Sequence, residues 1–207
     1  MSVGLLLLGA SGLAREVIAA GVTDVVGILD DDAALHGTSV GGVPVVGGID
    51  EARNSQERLL VCVGPSRSRR DVVLRLRALD VADGRFAPFV AQSARLGTST
   101  VGPGSILLDG VVVTADAAIG AHVVIMPNCT VTHDDVLEDF TTLAAGVALG
   151  GGVRIGEASY LGMNASVRQG VTVGAGATIG MAAAVLHDVP AGETWAGVPA
   201  RALRERR

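Results

Sequence analysis

From Val101 onward the chain places an aliphatic residue at every sixth position. The series is Val101, Leu107, Val113, Ile119, Ile125, Val131, Leu137, Leu143, Leu149, Ile155, Leu161, Val167, Val173, Ile179 and Val185, without a gap. The next position is often glycine, as at Gly102, Gly120, Gly150, Gly156, Gly162, Gly174 and Gly180. Four residues after the aliphatic stands a small or β-branched residue, such as Ser105, Ala117, Cys129, Thr141, Ser159 or Ala177. A period of six matches neither the 3.6-residue helix nor a hairpin meander, whose turns vary in length. It predicts a repeat over residues 101–186 in which each hexad is a short strand and a corner, and three hexads close one triangular coil. The aliphatic side chains then stack inward on those of the next coil. The glycines are expected to supply positive φ at the corners.

The first 85 or so residues follow another rhythm. Val3–Leu8 reads as a buried strand, Gly9-Ala10-Ser11-Gly12 as a tight turn and Leu13–Ala20 as a helix. Val25–Leu29 is a second strand ending in Asp30-Asp31-Asp32. Leu59–Val63 is a third, running into Gly64-Pro65-Ser66 and a helix over Arg67–Leu79. Such alternation predicts a small parallel α/β unit of Rossmann-like type over residues 1–86, followed by the coil and a C-terminal tail over 87–207. Since every hexad keeps its stacking neighbour, the coil is expected to stay folded without residues 1–86. The dinucleotide fingerprint is only partly met: Gly9, Ser11 and Ala14 stand where three glycines are wanted, with Asp30 at the ribose position. There is no room for a second mononucleotide half. A single nucleotide with its phosphates at the Gly9–Gly12 turn and the following helix start is the better fit, with positive φ expected at Gly12.

Composition narrows the classes. Hydrophobic residues make up 49 %, yet Phe, Trp and Tyr together number five while Gly numbers 29, so the core is built from aliphatic residues at close backbone approach. All 16 basic residues are arginine and the net charge is −5, which argues against a nucleic-acid partner. Cys62 and Cys129 lie far apart in apolar runs and read as buried thiols. The apolar run Leu5–Leu8 is too short for a secretory leader or a membrane span, and a soluble cytoplasmic protein is expected.

Among His36, His122, His133 and His187, no spacing suits a metal; His122 and His133, the closest pair, are eleven apart. No metal is expected, and His122 and His187 read as ordinary surface residues. His133 is different. It lies in Val131-Thr132-His133-Asp134-Asp135, where Asp135 breaks the small-residue rule, and its third hexad position projects outward near a corner. A neutral imidazole beside a carboxylate is suited to take a proton near neutral pH. Cys129 sits at an inward position, which argues against a nucleophile.

Taken together, the Gly9–Gly12 turn, Leu29-Asp30-Asp31, Val63-Gly64, His133-Asp134, Gly151 with Val153–Gly156, Leu161–Asn164 and Gly197–Arg201 resemble the bacterial nucleotide-sugar and sialic acid acetyltransferases of the NeuD/PglD type. The resemblance spans nearly the whole chain. It implies a left-handed parallel β-helix and a homotrimer with acetyl-CoA along the coil edge between subunits. It also implies His133 as general base, Asp134 as its partner, and Gly151, Met163 and Met181 at the coenzyme. The N-terminal unit would hold a UDP-sugar through Gly9, Ser11, Gly12, Leu13, Asp30, Asp31 and Gly64. The expected reaction is N-acetylation of the sugar amine, with O-acetylation of a sialic or other surface sugar, or a non-catalytic sugar-nucleotide scaffold, as alternatives. Three positions depart from the family pattern: Leu13 and Thr142 stand where histidine is common, and Met126 where asparagine is.

Overall fold

The computed structural model describes residues 3–203. Its N-terminal unit contains β1 (Leu5–Leu8), α1 (Gly12–Ala19), β2 (Val25–Leu29), β3 (Ser39–Val40), β4 (Val43–Gly47), β5 (Arg58–Val61) and α2 (Ser66–Ala78). The four leucines of β1 are all buried, as a central parallel strand covered on both faces requires. The sheet order is β3-β4-β2-β1-β5, and every pairing except the β3–β4 hairpin is parallel. That hairpin lay outside the sequence expectation. Its turn is Gly41-Gly42, with φ of +57° and +82°, values at which two glycines cost least.

Leu13, Ala14 and Val17 of α1 pack with Leu5, Leu7 and Ile28 on one face of the sheet. Val73 and Leu76 of α2 pack with Leu6, Leu8 and Leu29 on the other. From β1 the chain moves to β2 on one side and later to β5 on the opposite side. The strand order therefore reverses at β1, which opens a crevice between the turn after β1 and the turn after β5. Open α/β sheets bind their ligands in such a crevice.

The second unit is a coil of three sheets, parallel except where Arg201–Ala202 turns back on Thr194–Ala196, and residues stack on those 18 further along, as in Val113 on Val131 and Ile119 on Leu137. The sixth-position aliphatics point inward; Leu107, Ile125, Val131, Leu143, Ile155, Leu161, Val173 and Ile179 are all fully buried. Each such side chain contributes roughly 1.5–3 kcal/mol of transfer free energy. The coil is longer than the strict repeat. Strands Phe89–Val90 and Arg95–Leu96 precede it and Thr194–Ala196 follows it. A five-residue step from Leu96 to Val101, and a four-residue step from Val185 to Val189, hide these ends from a six-residue count.

The corner glycines also act otherwise than expected. Those that follow the aliphatic have no positive φ; a Cβ there would meet the backbone of the next coil, for Gly102 at 2.5 Å from Gly120. Positive φ falls two residues later, and side chains often carry it: Asp116, His122, Asn128, Asp134, Phe140, Ala158, Asn164 and Ala182 lie between 54° and 61°.

The two units share cores. Ile106, Leu108 and Val124 of the coil pack into the α1-side cluster, and Phe140 and Ala158 into the α2-side cluster. The outer edge of β5 is covered by the chain on its way to the coil, with Phe86 bridging Leu59 in parallel and the Ala87 N–H donating to the Leu59 carbonyl at 3.0 Å. Removing residues 1–86 would expose these apolar side chains of the coil, a cost that the expectation of an independent coil did not include. His122, expected at the surface, is 1 % exposed. Its ring stacks on Phe140 at 5.2 Å and meets Phe86 edge-on at 4.8 Å. Burial, seconded by Arg77 and Arg69, pushes its pKa down to about 4.

Candidate functional site

After strand Thr130–Val131 the chain turns the corner of the coil that leads to the face carrying strand Val136–Leu137, through Thr132, His133, Asp134 and Asp135. Asp135 is fully buried and structural: its Oδ2 accepts from the Thr132 N–H at 2.7 Å and its Oδ1 from the Val153 N–H at 2.8 Å. Its break with the repeat is thus a backbone clamp, like the buried hydroxyls of Ser105, Thr141 and Ser159 elsewhere in the coil. The clamp fixes the residues before it. The Asp134 N–H donates to the Ala115 carbonyl and the Gly152 N–H to the His133 carbonyl, at 3.1 and 2.9 Å.

On this rigid corner the His133 and Asp134 side chains are 67 % and 69 % exposed, with Nδ1 to Oδ2 at 2.8 Å. The hydrogen bond to Asp134, with smaller Coulombic help from Asp134 and Asp135, raises the imidazole pKa above its ordinary value. With Nδ1 donating to the carboxylate, neutral His133 keeps its basic lone pair on Nε2. That atom lies against Gly151 of the next coil, where a Cβ would overlap it. The structure thus brings His133, Asp134 and Gly151 together.

The second cluster is the crevice at the strand ends. Gly9 takes φ +106° and has Cys62 O and Val63 Cγ2 within 3.1 Å of where a Cβ would stand. Gly12, expected at positive φ, is instead the first residue of α1 with ordinary helical backbone; the constraint falls on Gly9. Ser11 caps α1, accepting from the Leu13 N–H at 3.0 Å and donating to the Cys62 carbonyl at 2.6 Å. Asp30 holds the turn, with Oδ2 accepting from the Ala10 N–H at 2.6 Å and Oδ1 from the Asp32 N–H at 2.8 Å. Asp31 accepts from the Ile49 N–H and pairs with Arg75 at 2.7 Å.

Between these turns and the coil lies a cleft of about 510 Å³ whose walls include Gly12, Leu13, Gly64, Met126, Thr142 and Tyr160. All three positions that depart from the family pattern, Leu13, Met126 and Thr142, therefore face one cavity. Met163 also borders it, and Met181 stacks one coil above, donor Ala182 N–H to Met163 carbonyl at 2.8 Å. These two methionines are 48 % and 69 % exposed, on the corner that follows strands Tyr160–Leu161 and Thr178–Ile179 of the face packed against the N-terminal unit. His133 and Gly151 occupy the next corner round. One chain therefore does not unite the expected coenzyme residues: Gly151 lies with the histidine, Met163 at the cleft and Met181 one coil above it.

Two residues at the cleft escaped the sequence reading. Tyr160 presents a half-exposed ring to it. Arg69 is fully buried behind it, and nothing in Arg67-Ser68-Arg69-Arg70 distinguishes it from its neighbours except its place on the inward face of α2. The two cysteines are buried as expected, and burial pushes the thiols of Cys62 and Cys129 up to about 12 and about 11. No described helix is long and apolar enough to cross a membrane. Among the described residues no cluster of three His, Cys, Asp or Glu side chains is placed to hold a metal.

No protein-family model and no curated protein matches the chain. Solved structures do. The acetyltransferase domain of PglB from Neisseria gonorrhoeae FA1090 is 34 % identical with a TM-score of 0.88, over 98 % of this chain and all of that one. The same domain is also known in complex with acetyl coenzyme A, at 33 % identity. GDP-perosamine N-acetyltransferase from Caulobacter crescentus is 32 % identical with a TM-score of 0.88, over 98 % of this chain and 97 % of that one. It was crystallised as a histidine-to-alanine mutant with CoA and GDP-perosamine. WeeI from Acinetobacter baumannii AYE is 25 % identical with a TM-score of 0.80, over 98 % and 100 % of the two chains.

Proposed function

This chain belongs to the hexapeptide-repeat sugar acetyltransferases of the NeuD/PglD type, and from that premise we propose that it transfers the acetyl group of acetyl-CoA to the amine of a nucleotide-linked amino sugar. The observation that carries the chemistry is the exposed His133–Asp134 pair on a clamped corner, with Nε2 directed to the space over Gly151. The sugar amine attacks the thioester carbonyl and forms the C–N bond as Nε2 of His133 takes the amine proton. Asp134 holds the ring in the required tautomer and stabilises the imidazolium. The Gly151 N–H is assigned to the developing oxyanion, since the Gly152 N–H is engaged by the His133 carbonyl. Collapse breaks the C–S bond, and His133 returns the proton to the departing thiolate.

Residues 1–86 are assigned to the nucleotide sugar. The turns bearing Gly9, Ser11, Gly12, Leu13 and Gly64 line or support the crevice, and Asp30 and Asp31 hold its loops. Residues 87–207 are assigned to the base and the coenzyme. Because base and cleft occupy different corners, the reading requires a neighbouring subunit to supply one to the other, and a homotrimer with three shared sites satisfies this. The cytoplasm, which supplies both substrates, is the compartment assigned.

The test is a thiol-release assay with acetyl-CoA and a panel of UDP- and GDP-linked amino sugars. Turnover is expected only with nucleotide-linked amines. Acetylation of free sugars, or of hydroxyls alone, would overturn the substrate class. Light scattering should give three times the 20.8 kDa chain mass. Co-expressing His133→Ala chains with Gly9→Val chains should restore activity in mixed trimers, because cleft and base then come from different chains. Silent mixtures, or a monomer, would overturn the shared site.

A further inference from the structure

Arg69 is fully buried, and among the described residues no carboxylate pairs with it. Its charge is met entirely by neutral oxygens. Nε donates to the His122 carbonyl at 2.8 Å, and Nη1 to the Val63 and Gly64 carbonyls at 2.9 and 2.7 Å. Nη2 donates to the Phe140 and Thr141 carbonyls at 2.9 and 3.2 Å, and to Thr142 Oγ1 at 2.9 Å. Ser66, at the start of the same helix, adds bonds to Thr142 Oγ1 at 2.8 Å and to the Ser159 carbonyl at 3.2 Å. Burial pushes the guanidinium pKa down to about 10, which leaves it protonated across the neutral range.

The placement of the acceptors matters more than their number. Two belong to the turn after β5 and four to the coil, on two successive turns of it. Gly64 and Thr142 both line the cleft. Apolar contacts between the units are non-directional and specify their register less sharply than hydrogen bonds do. A planar fork bonded on both sides holds that register, and lysine, with three donors on one atom, cannot reproduce the fork.

We propose that Arg69 is a positioning residue for the acceptor: acting through Gly64 and Thr142 and without touching substrate, it sets the width of the cleft and the register of the nucleotide-binding turns over the coil. Met163 borders the cleft and Met181 stands one coil above it, but neither residue bonds to the Arg69 and Ser66 side chains of this clamp. Its loss should therefore separate the two substrates. This inference rests on the cleft being the acceptor site.

The experiment compares Arg69→Lys and Thr142→Val with the wild type as intact proteins, well below their melting temperatures. For Arg69→Lys, kcat/KM for the nucleotide amino sugar should fall 30–100-fold while the CoA dissociation constant stays within twofold. Thr142→Val, which keeps five of the six acceptors, should cost 3–10-fold and decides the matter if the lysine variant does not fold. Hydrogen exchange reads the clamp without turnover: the Cys62 and Thr142 amides, bonded to the Leu8 and Ser159 carbonyls, should exchange at least tenfold faster in the folded variants. Unchanged exchange, unchanged acceptor kcat/KM, or an equal loss of CoA affinity would overturn the proposal. A wild type inactive on every nucleotide-linked amino sugar would instead overturn the proposed function, with the exchange result still deciding the clamp.

Discussion

The substitution Gly151→Ala places a methyl group where Nε2 of His133 lies, and a Cβ there overlaps the ring. Gly151 has no positive φ, so alanine is compatible with its backbone. The imidazole is 67 % exposed and free to swing away, so the overlap is relieved by moving the ring and not the coil. Stability should change by no more than about 0.5 kcal/mol, as for an ordinary surface substitution. Catalysis should not escape. A displacement of about 1 Å at a reacting group costs on the order of 10²-fold, near 2.7 kcal/mol of barrier. The steady-state thiol-release rate at saturating substrates should fall by that factor, with an unchanged melting temperature. The same change made in His133→Ala should cost much less, because the ring it displaces is gone and only the surroundings of the Gly151 N–H remain to be disturbed. A kcat within twofold of wild type, or a full additional loss in the His133→Ala background, would refute the reasoning.

Asp134→Asn removes the principal cause of the raised His133 pKa, so the rising limb of the kcat/KM–pH profile should move to lower pH while the plateau falls. An unmoved limb would show that another group titrates. His122 is neutral when folded and titrates near 4, against about 6.5 unfolded. Its contribution is fully present above the unfolded value and is lost as pH falls toward 4, by an order-of-magnitude 3 kcal/mol. Urea midpoints measured from pH 7 to pH 4 should show this decline, and His122→Phe should flatten it.

The coil was legible because fifteen inward positions obey one spacing, and its ends were not because single slips near Leu96 and Val185 break the count. The pair His133–Asp134 was legible because the third hexad position points outward whatever its neighbours. Asp135 misled: a carboxylate at an inward position reads as function until its two backbone donors are seen. His122 and Arg69 could not be read locally. Phe86 and Phe140 bury the first, and carbonyls as distant as His122 and Thr141 satisfy the second. The β1–α1 turn was visible as Gly9–Gly12, but which glycine bears the constraint depends on Cys62 arriving from β5. Tertiary partners decided each of these cases.

The claim that His133 is the general base is tested most directly by the kcat of His133→Ala with the CoA dissociation constant measured on the same preparation. A general base contributes roughly 10²–10⁴ in rate. The account predicts a loss in that range with coenzyme affinity unchanged, and a variant that keeps more than half of the wild-type kcat at neutral pH would contradict it.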